Sequence, residues 1–160
     1  AGTVLVIVRK DILEKQVREL PWMLDYKLQA KKQSRYNTPP TFGIYLMGQV
    51  FKWIEEKGGL TEIEKINKAK AKVIYDTLDS LDFYKPHARE KDRSLMNITF
   101  NTPSDELNKK FIADAEEEGL VNLKGHRAIG GMRASMYNAF PHAGAEALAG
   151  FLKEFAQKNG

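Results

Sequence analysis

Cysteine is absent from this chain of 160 residues, and histidine occurs only three times. The lack of cysteine excludes disulfides, thiolate metal ligands and cysteine nucleophiles. His87, His126 and His142 lie far apart and lack the i, i+4 spacing of a helical zinc pair, so we predict no metal site. No apolar run approaches the roughly 20 residues that a membrane-spanning helix needs. We therefore expect no membrane partner and a cytoplasmic location.

The charges are mixed in sign, and their net value of +4 is only mildly basic. Hydrophobic residues make up 42% of the chain, which excludes a disordered protein and is enough for the core of one domain. The basic stretch from Lys27 to Arg35 could contact nucleic acid, but a charge this modest usually marks a solvated face or a subunit contact. We predict no nucleic-acid partner. The sequence also lacks a Walker A motif and a G-x-G-x-x-G motif.

Val4 to Val8 form a continuous apolar run, Val-Leu-Val-Ile-Val. Such a run predicts a strand that is buried on both faces, as in a parallel sheet. A parallel neighbour requires a long crossover, and nothing precedes this run, so we expect the chain to be the C-terminal part of something larger. The alternative is that the run pairs with later strands of the same domain.

Hydrophobic periodicity predicts helices and strands along the rest of the chain. Thr38-Pro39-Pro40 is expected to start a long helix with Thr38 as its cap, and Gly58-Gly59 to end it. The other predicted elements are, in chain order, a short helix at 10–19, a helix opened by a Thr61/Glu64 capping box, a strand at 95–100, a helix from 102–104 to Gly119, a short strand at 121–123, a strand at 132–136 and a last helix. This order predicts an α/β fold in which helices pack on one face of a small, mostly antiparallel sheet.

Apolar spacing also predicts the buried side of each element. The residues expected to face inward are Phe42, Leu46, Val50, Trp53 and Ile54 on the long helix; Ile63, Ile66, Val73, Ile74, Leu78 and Leu81 on the next; Met96, Ile98 and Phe100 on the strand; Leu107, Phe111 and Ala115 on the third helix; and Leu148, Phe151, Leu152 and Phe155 on the last.

The segment from Gly125 to Arg133 is the first candidate ligand site. It holds His126, Arg127 and Arg133 among three glycines, which let a backbone turn sharply and approach a ligand closely. Met132, Ala134 and Met136 share one face of the predicted strand, so Arg133 projects from the other face of a rigid element. Arginine offers a planar fork of donors that fits a carboxylate or phosphate. The alternative is an ordinary surface loop with a solvated arginine.

The second candidate site is the segment Tyr36 to Phe42, at the start of the long helix. Free N–H groups and the helix dipole favour anions at such a position, and Asn37 and Thr38 add side-chain donors. The alternative is a plain N-cap without a ligand.

Both segments resemble the phosphoserine aminotransferase family. The motifs that carry the resemblance are Y-N-T-P-P-T-F at 36–42 and K-G-H-R-x-x-G-G-M-R-A-S-x-Y-N-A at 124–139. Further similar segments are T-V-L-V-I-V-R-K-D-I-L, M-L-D-Y-K, W-I-E-E-K-G-G-L and M-N-I-T-F. Together they cover essentially the whole chain, in one unbroken order that is similar to the second half of the family.

The resemblance implies a pyridoxal-phosphate enzyme of the aspartate-aminotransferase-like fold. Such an enzyme moves an amino group between glutamate and 3-phosphohydroxypyruvate in serine biosynthesis, as a homodimer with shared sites. By resemblance, Asn37 and Thr38 would hold the cofactor phosphate of the neighbouring subunit. Arg133 would clamp the substrate α-carboxylate, and His126 and Arg127 would reach across the dimer to the substrate phosphate or side-chain carboxylate.

The family's Schiff-base lysine lies just before the run at Val4 to Val8, so the resemblance implies that this chain holds no catalytic residue and is inactive alone. Lys10 does not occupy that position. Residues 1–36 would be the end of the large domain, including its last strand, with a dimer-contact segment; 37–59 would be a linking helix and 60–160 the small domain. A companion N-terminal fragment would then be a partner. Ala128 and Ile129 stand where the family pattern has Ser-Val.

Two other functions stay open at this point. One is another aminotransferase-like enzyme of the same superfamily, of the alanine–glyoxylate type, whose unphosphorylated substrates would not need His126 and Arg127. The other is a non-catalytic module that binds anions or a protein partner.

Overall fold

The structure, a computed structural model, describes residues 2–15 and 18–160. The chain forms two units, Ala1–Glu56 and Lys57–Gly160. The predicted division into 1–36, 37–59 and 60–160 stays a prediction. In the described residues, no helix combines the length and the apolar character that spanning a membrane requires.

The described secondary structure of the first unit consists of helices. It contains α1 (Lys10–Leu13), a 3₁₀ turn (Trp22–Leu24), α2 (Tyr26–Lys31) and α3 (Thr41–Glu56). The predicted first helix is therefore shorter than expected, since α1 ends at Leu13; residues 16 and 17 lie outside the described residues.

The prediction of a buried strand at Val4 to Val8 is wrong for this structure. These residues form no strand, and the side chains of Val4 and Ile7 are 81% and 89% exposed. A strand exists only where a neighbouring backbone accepts and donates its hydrogen bonds. No described strand pairs with this run, so the alternative of pairing with later strands is wrong as well.

The long helix α3 begins at Thr41 and not at the predicted Thr38. The residue before a proline is biased towards extended backbone, and two prolines in a row delay the first helical turn. The carbonyl of Pro40 accepts the amide of Ile44 at 3.0 Å, so Thr38 is not the cap. The expected apolar stripe is present in sequence but not covered: no residue of α3 is buried, and Phe42 is 74% exposed.

The second unit contains α4 (Gly59–Asp79), α5 (Asp105–Glu117) and α6 (His142–Asn159) with a sheet of β1 (Lys85–Pro86), β2 (Asn97–Asn101) and β3 (Met132–Ser135). A 3₁₀ turn spans Glu90–Asp92. The strand order is β1-β2-β3, and both pairs are antiparallel. The predicted combination of helices with a small antiparallel sheet is confirmed here.

Alternation along β2 and β3 places the core on one face of this sheet. Ile98, Phe100, Met132 and Ala134 are buried, as predicted. Tyr84 lies in the same core; its hydroxyl donates to the Leu152 carbonyl at 2.8 Å, and burial raises the pKa of that hydroxyl. The helical residues that complete the core are Ala71, Ile74, Leu78, Phe111, Ala115, Ala145, Leu148, Ala149, Leu152, Phe155 and Ala156.

In this unit, α5 begins with a side-chain cap and α4 does not. The third helix is expected to start at 102–104; Ser104 caps α5, because its hydroxyl accepts the amide of Leu107 at 3.2 Å. The Thr61/Glu64 capping box is wrong: α4 already begins at Gly59, preceded by Gly58 at a φ of 96°. Gly58 and Gly59 both have positive φ, which glycine adopts readily, and no side chain caps the start of α4. Ile66 is also 39% exposed and does not face the core.

The predicted strand at 121–123 is not formed either. Asn122 has a φ of 63°, in the left-handed region, which interrupts an extended backbone. Among the described residues, only an isolated bridge between Lys124 and Met132 extends the sheet on the other side of β3. The edge of β3 is consequently paired near Arg133 and open near Ser135.

One partly exposed ion pair ties the segment before β2 to α4. Both nitrogens of the Arg93 fork donate to the Asp79 carboxylate at 2.6 Å, and the guanidinium lies 4.5 Å from the centre of the Tyr75 ring. The Arg93 guanidinium holds the pKa of the Asp79 carboxyl below its usual range. A carboxyl with a lowered folded-state pKa stabilises the fold above its unfolded pKa, and that contribution is lost as the pH falls through the folded pKa.

We expect Asp79→Asn to lower the free energy of unfolding by about 1 kcal/mol at pH 7, because Asp79 is nearly half exposed and solvent screens the pair. The difference between variant and parent should shrink as the pH falls below about 4, where aspartate begins to protonate. Urea unfolding of variant and parent, at pH 7 and at a pH below about 4, measures this difference in the free energy of unfolding. Asp76→Asn is the control, since Asp76 makes only an exposed pair with Lys72. An unchanged difference at low pH would contradict this account.

Candidate anion-binding site

Arg133 lies in the middle of β3, opposite Thr99 of β2. Its neighbours Met132 and Ala134 are buried, so the Arg133 side chain projects from the face of the sheet away from the core. The guanidinium has no hydrogen bond or ion pair with any described residue, and its Nε atom is buried without a partner. A buried donor without a partner costs free energy, so this guanidinium is suited to an external carboxylate or phosphate.

The loop from Gly125 to Gly131 is closed by its own backbone. The Gly125 amide donates to the Gly131 carbonyl at 2.8 Å, and the His126 carbonyl accepts the amides of Ile129 and Gly130 at 2.9 and 2.8 Å. A side chain at position 125 would collide with the carbonyl oxygens of Gly130 and Gly131. Glycine at position 125 is thus required by the close approach of the two ends of the loop.

His126 and Arg127 are exposed at the tip of this loop. The His126 Nδ1 atom accepts the Ala128 amide at 3.2 Å. A ring nitrogen that accepts a hydrogen bond carries no proton, so in this conformation the proton lies on Nε2, which is available as a donor. Arg127 makes no hydrogen bond or ion pair with residues 2–15 or 18–160. The loop therefore presents two free donor groups close in sequence to the Arg133 strand.

Asn37 and Thr38 lie in the first unit, in the exposed segment just before α3. The Asn37 carboxamide donates to the Met23 sulfur at 2.8 Å, a weak acceptor that an anion could replace. An exposed amide and an exposed hydroxyl next to the first turn of a 16-residue helix fit the donor set that a phosphate requires.

Lys70 and Asn67 are two of the buried polar residues of α4, and the sequence analysis predicts neither. Lys70 is fully buried, and Asn67 is 3% exposed. Asn67 is four residues from Ile63, and Lys70 is four residues from Ile74, so both fall on the apolar face of the helix. A polar residue at a core position of a helical pattern is the signal that could have found them.

Lys70 faces the turn that follows β3. Its Nζ atom donates to the carbonyls of Tyr137, Asn138 and Phe140 at 2.9, 3.4 and 3.0 Å, and no carboxylate pairs with it among the described residues. Burial lowers the pKa of the Lys70 ammonium. Three carbonyl acceptors match the three N–H bonds of an ammonium group, which offsets part of the cost of burying its charge.

Polar side chains beside Arg133 form a second group on the outer face of the sheet. The Asn97 carboxamide oxygen accepts the Ser135 hydroxyl at 3.1 Å and the Tyr137 hydroxyl at 3.5 Å. Arg133, Ser135 and Tyr137 alternate along the chain, so they share this face.

Comparison with known proteins decides the family. The model of the aminotransferase class-V family matches residues 1–148. The chain belongs to this family. Its match covers both units, including the segments around Asn37 and Arg133.

Curated relatives of this class-V aminotransferase chain are named phosphoserine aminotransferase. The chain is 53% identical over 160 residues to the protein of Lysinibacillus sphaericus, and 51% identical over 159 residues to that of Geobacillus kaustophilus. Each match covers 99% of this chain and 44% of the relative. The chain thus spans less than half the length of these relatives, and the resemblance seen in the motifs is confirmed.

Solved structures agree with these relatives. The phosphoserine aminotransferase of Bacillus circulans subsp. alkalophilus matches with a TM-score of 0.89 at 47% identity, covering 96% of this chain and 43% of that one. A pyridoxal-phosphate-bound phosphoserine aminotransferase from Trichomonas vaginalis matches with a TM-score of 0.85 at 41% identity, covering 91% of this chain and 42% of that one. The predicted fold class of the class-V chain is confirmed.

Proposed function

We propose that this chain supplies the C-terminal part of an enzyme that transfers an amino group between glutamate and 3-phosphohydroxypyruvate. The observation that carries the proposal is the unpartnered Arg133 guanidinium, with its buried Nε atom, on a strand of a class-V aminotransferase chain. Relatives named phosphoserine aminotransferase at about half identity support the choice of substrate.

The proposed substrates carry an anionic group at each end. Arg133 binds the α-carboxylate, which all substrates of both half-reactions share. His126, through its Nε2 proton, and Arg127 bind the phosphate of one substrate and the side-chain carboxylate of the other. Fixing both ends orients the amino or oxo group between them and lowers the entropy cost of the reaction.

Asn37 and Thr38 are proposed to hold the phosphate of pyridoxal phosphate, contributed to the neighbouring subunit of a homodimer. Their exposed donors beside the start of α3 suit a phosphate group. The cofactor, when bound, supplies the electron sink that amino-group transfer needs. The same cofactor appears in the name of the Trichomonas vaginalis structure.

This chain is proposed to be inactive by itself and to act with the upstream part that its relatives carry, either joined to it or as a companion fragment. We also propose the cytoplasm as its location, because a chain without cysteine has no disulfides to require an oxidising compartment.

The test joins this chain to the upstream part of the Lysinibacillus sphaericus relative, to give what we call the joined enzyme. We expect it to bind pyridoxal phosphate and to transfer the amino group of O-phosphoserine to 2-oxoglutarate, whereas the 160-residue chain alone does neither. Absorbance of the bound cofactor and coupled detection of glutamate measure the two properties. Cofactor binding without turnover of phosphoserine would contradict the proposed substrate.

Arg127→Ala separates this function from an alanine–glyoxylate type of activity. We expect the kcat/KM of the joined enzyme for O-phosphoserine to fall by about 30-fold or more, because a charge-assisted bond to the phosphate is lost. The kcat/KM for L-alanine should change far less. Lys124→Ala is the control, because it removes another exposed positive charge, from the residue just before the loop. Equal losses for both amino donors would favour the alanine–glyoxylate type.

A further inference from the structure

The turn between β3 and α6 accepts hydrogen bonds from the buried ammonium group of Lys70. Tyr137 and Phe140 close the turn through a hydrogen bond from the Phe140 amide to the Tyr137 carbonyl at 2.9 Å. The same Tyr137 carbonyl and that of Phe140 also accept from the Lys70 ammonium, at 2.9 and 3.0 Å. Lys70 thus binds both ends of the turn at once.

Asn67 adds a second attachment one helical turn before Lys70. Its carboxamide nitrogen donates to the Asn138 side-chain oxygen at 2.8 Å. Lys70 and Asn67 are both buried in α4, a helix of 21 residues whose apolar face lies in the core. The turn is therefore attached to the most extensive element of this unit and not to a mobile surface segment.

The strand before this turn has a hydrogen-bonded neighbour on only one side at its C-terminal end, although Ala134 and Met136 are buried in the core. On one side, β2 pairs with it through Ser135, and the Met136 amide donates to the Met96 carbonyl at 2.7 Å. On the other side, pairing stops at the hydrogen bond from the Arg133 amide to the Leu123 carbonyl, because Asn122 turns the chain away. Past Arg133, β3 is an edge strand, and edge strands held on one side separate more easily from the sheet.

We propose that Lys70 is a positioning residue for ligand binding at Arg133. It fixes the exit of β3, and with it the alignment of Arg133, Ser135 and Tyr137 on the outer face of the sheet. The inference rests on the proposed function for the identity of the ligand, while the anchoring itself rests on the contacts of Lys70 alone.

The hydrogen bonds of Lys70 are linked to the polar side chains on the outer face of the sheet. The Tyr137 backbone is bound by Lys70, and its hydroxyl meets the Asn97 oxygen that also accepts from Ser135. If the turn shifts, this hydrogen-bonded group and the end of β3 shift with it. A carboxylate clamp depends on such alignment, since a small displacement of a charged donor removes the geometry of a paired hydrogen bond.

The first test measures amide hydrogen exchange by NMR on the full 160-residue chain. Lys70→Met keeps a long unbranched side chain and removes the ammonium donor from three carbonyls, of which that of Tyr137 keeps the Phe140 amide as a donor. We expect the amides of Arg133, Met136 and Phe140 to exchange at least about tenfold faster, while those in the middle of α5 keep their rates. Lys72→Met is the matched control on the same helix, because the Lys72 side chain is 73% exposed.

Asn67→Ala is the second variant, in case Lys70→Met fails to fold. It removes a single side-chain bond to the turn, and we expect the same amides to respond with a smaller factor. A uniform acceleration in both variants, equal in α5 and in the turn, would mean general destabilisation and would overturn the anchoring role.

The second test uses the joined enzyme. We expect Lys70→Met to raise the KM for glutamate and for O-phosphoserine by a similar factor of about ten, because both carry the α-carboxylate. The kcat per bound cofactor should stay within about twofold of the parent. A lower fraction of folded enzyme reduces the active concentration but leaves KM unchanged, so an unchanged KM would overturn the positioning role.

These outcomes are distinguishable from failure of the proposed function. If the joined enzyme without substitutions shows no transamination, the function is wrong, and the exchange data still decide whether Lys70 anchors the turn. If the joined enzyme is active and only the Lys70 variant has altered KM values, both proposals are supported.

Discussion

Arg133→Lys in the joined enzyme is expected to reduce kcat/KM for glutamate and for O-phosphoserine by about 100-fold or more. Lysine keeps the positive charge but replaces a planar fork of donors with a single point charge, so the paired contact with a carboxylate is lost. A paired, charge-assisted contact of this kind is worth about 3 kcal/mol, which corresponds to roughly 100-fold. Steady-state kinetics with each amino donor measure the effect.

The fold should tolerate this change. The Arg133 guanidinium has no hydrogen bond or ion pair in the part of the chain that the structure describes, so none is lost. We expect the urea midpoint of the Arg133→Lys chain to equal that of the parent. Arg89→Lys is the matched control, since Arg89 is an exposed arginine of the same unit that pairs only with Asp92. Its kinetics should be unchanged.

Different outcomes point to different roles for Arg133. A loss confined to O-phosphoserine would assign it to the phosphate and not to the shared carboxylate. A lowered urea midpoint with normal kcat/KM would make it a structural residue, and the proposed clamp would be wrong. The expected pattern, equal losses with unchanged stability, is specific to a group that contacts the common end of both substrates.

The sequence predicts the second unit well because its elements bury their own apolar faces. The alternation that predicts Ile98 and Phe100 inward, and the predicted helix start at 102–104, depend only on local spacing and on contacts within this unit. The orientation of Arg133 follows from the same alternation: two buried neighbours leave the outer face as the only side for its head group.

Other features depend on partners that a local pattern does not contain. The run at Val4 to Val8 has the composition of a buried strand, yet a strand also needs a neighbouring backbone, and no described strand pairs with it. The apolar stripe on α3 is likewise present in the sequence, but the helix buries none of its residues. In both cases composition predicts what the residues could contact, not what they do contact.

Backbone conformation and tertiary hydrogen bonds account for the remaining differences. The left-handed conformation of Asn122 interrupts a segment whose composition favours a strand. The sequence pattern does not identify Lys70, because lysine is normally assigned to a solvated face. Its three carbonyl partners also lie 67 to 70 residues further along the chain. Such contacts can be recognised only when the fold brings them together.

Gly131→Ala is expected to cause a large loss of stability. Gly131 has a φ of 64°, and a Cβ atom there would lie 2.8 Å from the Phe100 carbonyl oxygen and still closer to the Asn101 side-chain oxygen. The first contact is with the backbone of β2, which cannot move without disturbing the sheet. Left-handed strain and overpacking together should lower the free energy of unfolding by about 3 kcal/mol.

Gly130→Ala provides a closely matched control. Gly130 also has a positive φ, of 77°, but a Cβ atom there would meet nothing within 4 Å. It therefore carries backbone strain without the collision, and we expect a loss of about 1 kcal/mol. Urea unfolding of the 160-residue chain compares the two variants under the same conditions.

The difference between these variants also bears on the ligand. The Gly131 carbonyl accepts the Gly125 amide and so closes the loop that carries His126 and Arg127. If the added methyl group pushes residue 131 away from β2, that hydrogen bond should lengthen and the Gly125 amide should exchange faster in Gly131→Ala than in Gly130→Ala. Equal losses of stability and equal exchange in both variants would mean that strain alone matters, and that the packing against Asn101 and Phe100 does not set the position of the loop.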